Sequence, residues 1–78
     1  MKNYYHILGL SFEANPIPEV IAATYKALVK IYHPDVFKGD KFYAEQRIKE
    51  INEAYDILGN LSKKKEYDKF YKFNIKGF

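Results

Sequence analysis

Residues 16–58 read PIPEVIAATYKALVKIY, then HPDVFKGD, then KFYAEQRIKEINEAYDIL. In the first segment Ile21, Tyr25, Leu28 and Tyr32 fall at intervals of 4, 3 and 4 residues. In the last, Ala44, Ile48, Ile51, Tyr55 and Leu58 fall at intervals of 4, 3, 4 and 3. Both series follow one face of an α-helix. Pro34 ends the first helix, because it disfavours helical geometry at His33. Two helices of this length, joined by the eight residues from His33 to Asp40, are expected to lie antiparallel with their seams together. The fold class that follows is all-α.

Helix boundaries follow from the punctuation. Asn15 is expected to cap the first long helix, with Pro16 as its first residue and Pro18 still in the first turn. Asp40 is the expected cap of the second, which runs from Lys41 to Leu58 and stops at Gly59. Its outer face carries Glu45–Lys49 and Lys49–Glu53 at i,i+4 spacing, each pair worth a few tenths of a kcal/mol. On the N-terminal side, Asn3 to Leu8 reads as a short helix stopped by Gly9, too short to stand without docking. On the C-terminal side, Asn60 caps a helix from Leu61 to about Tyr71, anchored by Leu61, Tyr67 and Phe70. Residues 72–78 show no pattern and are taken as the start of a linker. The expected domain therefore spans residues 1–71. Its core is expected to hold Tyr5, Leu8, Ile21, Leu28, Tyr32, Ile48, Ile51, Ala54, Tyr55, Leu58 and Tyr67. No period-2 alternation or Asn-Gly turn suggests a strand.

The whole chain has 78 residues, 47% of them hydrophobic, so it holds one small domain with a thin core. It has no cysteine, which excludes disulfides and thiolate zinc sites. His6 and His33 are too few for a metal ligand set, and no cofactor is expected. Aromatic residues make up 18% of the chain, including eight Tyr and no Trp, so packing must supply stability. The net charge of +3 permits an acidic partner without demanding nucleic acid. No segment reaches the roughly 20 apolar residues of a membrane span, and the N-terminal residues lack a secretion signal. The expected compartment is the cytoplasm. A chain this small has little room for a concave pocket of several hundred Å³, and no nucleophile–base pair stands at sensible spacing, so an enzyme is not expected.

The segment between the long helices carries the chemistry. Tyr32-His33-Pro34-Asp35 begins a tip held by a rigid hairpin. Proline fixes the backbone there, histidine presents two ring nitrogens, and aspartate offers a carboxylate suited to a partner's arginine. His33-Pro34-Asp35 after a helix ending in Tyr32 resembles the signature of J-domains, the DnaJ family. Tyr4-Tyr5-His6-Ile7-Leu8-Gly9 is similar to that family's opening helix. Ile51-Asn52-Glu53-Ala54-Tyr55-Asp56-Ile57-Leu58 is similar to its third-helix motif, and Lys63, Lys64, Tyr67 and Asp68 to its fourth helix. The resemblance covers residues 3 to about 70.

The resemblance implies a helical hairpin, helices II and III, flanked by short helices I and IV. It also implies a co-chaperone module that binds DnaK-type chaperones and stimulates their ATP hydrolysis without hydrolysing anything itself. By the same resemblance Asp35 engages a chaperone arginine, and His33 and Pro34 shape that contact. The second helix meets an acidic chaperone surface, which assigns partner roles to Lys26 and Lys30. Tyr25 is read from its amphipathic side chain as core first, with its hydroxyl reaching the binding face as a second role, and Lys38 and Lys41 lie just beyond the tripeptide. Client polypeptides would be bound by regions outside this chain, and the isolated domain is expected to be monomeric. The sequence departs from the family pattern at Ala22, Ala23, Ala27 and Ile31, positions usually basic in several members. Exposed charge pairs contribute roughly 0.2–1 kcal/mol each, so losing three weakens the encounter by about 1–3 kcal/mol, chiefly through on-rate, with Lys38 and Lys41 compensating in part. Leu61, Ser62 and Lys65 also depart from the fourth-helix pattern.

Two other readings stand beside this one. A J-like domain used for assembly, with weak or lost stimulation, is suggested by the alanine-rich second helix. A small basic nucleic-acid binder is suggested by Lys63-Lys64-Lys65 and exposed aromatic residues.

Overall fold

The computed structural model describes residues 2–75. Helix α1 spans Tyr4–Ile7, α2 Pro18–Tyr32, α3 Lys41–Leu58 and α4 Leu61–Phe70, and the chain winds on through a π-helical turn at Tyr71–Ile75. No strand occurs among the described residues. Helices α2 and α3 form the long pair, and α1 and α4 both pack on α3. No described helix is long and apolar enough to cross a membrane.

The caps are side chains with short acceptors. Asn3 accepts from the backbone N–H of His6, Asp40 from that of Phe42, and Asn60 from that of Lys63. Each satisfies one of the donors that a helix start leaves open. Gly9, at φ +70°, takes the left-handed conformation that ends α1. The start of α2 differs from expectation. Helix α2 begins at Pro18, with Ile17 at its N-cap in extended geometry and no side-chain cap. Pro18 disfavours helical ψ at the residue before it, so Ile17 cannot be a helical residue and Pro16 cannot open the helix. Asn15 instead turns the chain through a left-handed φ of +46°.

Tyr4, Tyr5, Leu8, Ile21, Ile51, Ala54, Leu58, Tyr67 and Tyr71 form the buried cluster. Leu28, Tyr32, Ile48 and Tyr55 are half-buried. Along α3 the fully buried line is Ala44, Ile51, Ala54 and Leu58. Helix α3 packs against both α2 and α1, and Ala54 is fully buried in the cluster. Phe12 and Tyr71 stack with centroids 4.5 Å apart. The segment expected to begin a linker therefore follows a residue that packs in the core. Lys76–Phe78, the end of that expected linker, lie outside the described residues.

Hydroxyls close the base of the molecule. The buried Tyr67 hydroxyl accepts from Tyr4 N–H at 3.0 Å and donates to the Lys2 carbonyl at 2.8 Å. It thus partners the backbone where α1 begins. The Tyr4 hydroxyl donates to Glu53 at 2.7 Å, and Lys2 pairs with the same carboxylate at 3.0 Å. Glu53 therefore serves the N-terminus and does not pair with Lys49. Neither expected i,i+4 pair on α3 forms among the described residues; Arg47–Glu50 forms instead, at 3.2 Å. The Tyr5 hydroxyl donates to Asp68, which Lys64 also pairs with at 2.9 Å. Donation to Glu53, with burial and the Glu53 charge, pushes the Tyr4 pKa up to about 12. Burial first, then donation to Asp68, pushes Tyr5 up strongly. Burial raises Tyr67. The Tyr4 hydroxyl, followed by Lys2, holds Glu53 below the usual carboxylate range.

A shallow depression of about 390 Å³ lies among Tyr4, Ile57, Lys63, Glu66, Tyr67 and Phe70. Its size corrects the expectation that so short a chain has little room for a hollow of several hundred Å³.

Candidate functional site

The tip joins α2 to α3, and its shape follows from three aromatic rings beneath it. Tyr32, Phe37 and Tyr43 cluster with centroids 5.5–6.2 Å apart. The Arg47 guanidinium lies 5.2 Å from the Tyr32 ring centroid, within cation–π range. Phe37 folds back over Gly39, where a Cβ would stand 2.8 Å from its ring. A side chain at position 39 would displace that ring.

The backbone above these rings is turned and pinned. Val36 and Phe37 N–H both donate to the His33 carbonyl, at 3.0 and 2.9 Å. Asp35 N–H donates to His33 Nδ1 at 3.1 Å. With Nδ1 used as an acceptor, the neutral ring carries its proton on Nε2. Asp35 Oδ2 lies 3.8 Å from that same Nδ1, so in this state the contact is not a charge pair. Lys41 Nζ donates to the Pro34 carbonyl at 2.6 Å, tying the first turn of α3 to the loop. The Asp35 side chain is 87% exposed. Among the described residues no lysine or arginine pairs with it. The tip thus presents a carboxylate with fixed backbone and open oxygens, suited to a bidentate cation.

The other expected partner residues divide into two groups. Lys26, Lys30 and Lys38 are exposed, and among the described residues none forms an ion pair. Tyr25 and Lys41 are already engaged. The Tyr25 ring stacks on Tyr55 at 4.2 Å and 9°, and its hydroxyl donates to Asn52 at 2.7 Å. The structure therefore gives Tyr25 a role in joining α2 to α3, because the hydroxyl expected to reach a partner meets Asn52 first. Lys41 likewise shapes the loop through Pro34. Sequence reasoning assigned neither contact; the lysine six residues after the aspartate, at the start of a helix, was the available signal. On α4, Lys63 pairs with Asp56 at 3.1 Å and Lys64 with Asp68. Two lysines of the basic run are thereby neutralised locally. Among the described residues no group of His, Cys, Asp or Glu could hold a metal ion.

A family model of the DnaJ domain matches residues 3–68. The chain belongs to the DnaJ domain family. Similar curated proteins include the chaperone protein DnaJ of Caldicellulosiruptor bescii, 48% identical over 69 residues, or 88% of this chain and 17% of that protein. The chaperone protein DnaJ of Pediococcus pentosaceus is 45% identical over 69 residues, again 88% and 17%. That of Campylobacter hominis is 42% identical over 77 residues, or 99% of this chain and 21% of that protein. The chain thus spans about a fifth of the length of these relatives. Within the DnaJ domain, the hairpin tip carries His33-Pro34-Asp35, and the four helices follow the order that the family resemblance implies.

Proposed function

We propose that this DnaJ domain is a co-chaperone module, not itself an enzyme, that docks on a DnaK-type chaperone and stimulates its ATP hydrolysis. The observation that carries the reading is the Asp35 carboxylate, 87% exposed, at a tip whose backbone is pinned by His33 and Lys41. Asp35 meets a chaperone arginine, His33 and Pro34 set its direction, and Lys26, Lys30 and Lys38 face the partner around it. Lys41 and Tyr25 act from behind, by holding the loop and the helix pair. Clients are selected by regions outside this chain, and the isolated domain acts as a monomer. A nucleic-acid role draws less support, since Lys63 and Lys64 already face Asp56 and Asp68.

Single-turnover ATP hydrolysis by a purified DnaK-type chaperone, with and without the domain, tests the reading. Stimulation is expected, and Asp35→Asn should reduce it at least about tenfold, equivalent to 1.4 kcal/mol of lost interaction. No stimulation by the unmodified domain, or equal stimulation by Asp35→Asn, would leave the assembly reading in its place.

A further inference from the structure

One ring nitrogen at the tip stands between two partners. His33 Nδ1 accepts from the Asp35 N–H at 3.1 Å, and Asp35 Oδ2 lies 3.8 Å from the same atom. While the ring is neutral the first contact holds, because Nδ1 offers a lone pair and the carboxylate has no proton to give it. A proton on Nδ1 reverses both relations. The nitrogen can no longer accept, so the Asp35 N–H loses its partner, and the new N–H becomes a charged donor beside the carboxylate. A charge-assisted N–H···O bond runs to about 2.7–2.9 Å, so a shift of about 1 Å closes the pair. The Asp35 side chain is 87% exposed and that of His33 52% exposed, which leaves both room to turn.

The other charged groups at this end are engaged elsewhere or stand in solvent. Lys41 Nζ is on the Pro34 carbonyl, and Asp40 accepts from the Phe42 N–H at 2.9 Å. Arg47 lies over the Tyr32 ring and pairs with Glu50. Tyr32 and Tyr43 belong to the ring cluster beneath the loop, and Lys30 and Lys38 are exposed. Among the described residues Asp35 is the only acidic side chain within ion-pair distance of His33. We infer that His33 is a proton-operated latch on the tip. Protonated, it draws the Asp35 carboxylate onto its own ring and closes it to an incoming cation; neutral, it holds the Asp35 backbone and leaves the carboxylate open. Histidine is the side chain whose charge ordinarily changes between about pH 5 and 8, so the switch lies in a range that a cell can reach. The rearrangement stands on the geometry of the tip alone, whereas its effect on docking rests on the proposed function above. A partner arginine would compete with the imidazolium for the same oxygens and meet like charge beside them. Docking is therefore strongest with His33 neutral.

The test uses the His6→Gln domain, in which His33 is the only histidine. His6 is exposed and takes no part in the tip. Its NMR spectra are followed from about pH 8 to about pH 5. The neutral His33 ring should show the Nε2–H tautomer, with Nδ1 unprotonated. On acidification the Asp35 amide proton should move upfield along the His33 titration curve, while the amides of α4 stay in place. An Nδ1–H tautomer in the neutral ring, or an Asp35 amide that ignores the His33 titration, would overturn the latch. Binding to a DnaK-type chaperone is then compared at about pH 7.5 and about pH 5.5. Acid should weaken it about two- to fivefold more for this domain than for one that also carries His33→Gln, the size expected of one exposed ion pair. Titration of the chaperone itself enters both ratios and cancels. Equal ratios, or tighter binding in acid, would overturn the inference. If the His33→Gln domain binds too weakly to compare, the Asp35 carboxyl carbon shift decides: one that follows the His33 titration supports the latch, and one that does not overturns it. If the domain with His33 intact binds no chaperone at either pH while Asp35 still follows His33, the latch stands and the functional reading fails.

Discussion

The two ends of the α2–α3 hairpin are built on opposite plans. At the base, Tyr4, Tyr5, Tyr67 and Tyr71 are buried, and the hydroxyls of Tyr4, Tyr5 and Tyr67 bond to groups far away in sequence. At the tip, His33 and Asp35 are exposed, and the bonds that shape the loop join residues 2–7 apart. The base therefore fixes the fold through long-range contacts. The tip keeps its form through local ones and leaves its charged oxygens open. On the proposed function, stability and recognition are separated by the length of the hairpin, so each should be alterable without the other.

The strongest way to break that separation is to strike the base. Tyr5→Ala removes a ring from the core, and large aromatic deletions cost about 3–5 kcal/mol. At about 4–8 °C per kcal/mol for a domain of this size, thermal unfolding should fall by more than about 12 °C. The equivalent test at the tip, Asp35→Asn, should leave the unfolding temperature unchanged, because exposed substitutions usually stay within about 0.5 kcal/mol. A large loss of stability in Asp35→Asn would show that the two ends are coupled.

Alkali should act on the base as well. Tyr4 has its pKa raised from 10.0 to about 12, and Tyr5 and Tyr67 are raised too. A group whose folded pKa is raised contributes stability that is complete below the unfolded value and is lost as pH rises through the folded one. Stability should therefore hold to about pH 10 and fall from there toward pH 12. Denaturant unfolding across that range reads the effect, and Tyr4→Phe should make the decline less steep. A flat profile in the unmodified domain would contradict the buried hydrogen-bonded tyrosines.

The smallest effect is expected at the loop tie. Lys41→Met removes the bond to the Pro34 carbonyl while keeping the aliphatic stem. A hydrogen bond typically contributes about 0.5–1.5 kcal/mol net, and this one, being exposed, is expected at the low end. Stimulation should drop about two- to fivefold with little change in unfolding temperature. If Lys41→Arg, which can still donate, is as impaired as Lys41→Met, the tie does not position the loop and Lys41 touches the partner instead.

Much of this was legible in the sequence, for identifiable reasons. The α3 boundaries followed from Asp40 and Gly59, and the tip followed from Pro34, because caps and breakers act within a few residues. The position of α2's first turn was also encoded locally, but two prolines competed, and the restriction that Pro18 imposes on Ile17 outweighed the capping preference of Asn15. The contacts that were not legible are those set by tertiary approach. Glu53 is surrounded in sequence by helical partners such as Lys49, yet Lys2 and Tyr4 reach it from the far end of the chain. Periodicity places the Tyr25 ring on the apolar stripe of α2 but does not say what its hydroxyl meets, and only the docking of α3 puts Asn52 in front of it. Phe12 and Tyr71, which stack against one another, come from a loop and from the end of the α4 pattern, where periodicity carries no signal.

The Tyr25–Tyr55 stack, 4.2 Å between centroids and 9° from parallel, also makes this chain its own optical probe. With no tryptophan in the sequence, the near-ultraviolet spectrum belongs mainly to tyrosine, and this closely parallel pair bridges the two long helices. Coupling between the two rings should give a circular-dichroism signal that exists only while α2 lies against α3. Closure of the hairpin can then be followed in the unlabelled domain, including on addition of the proposed chaperone partner.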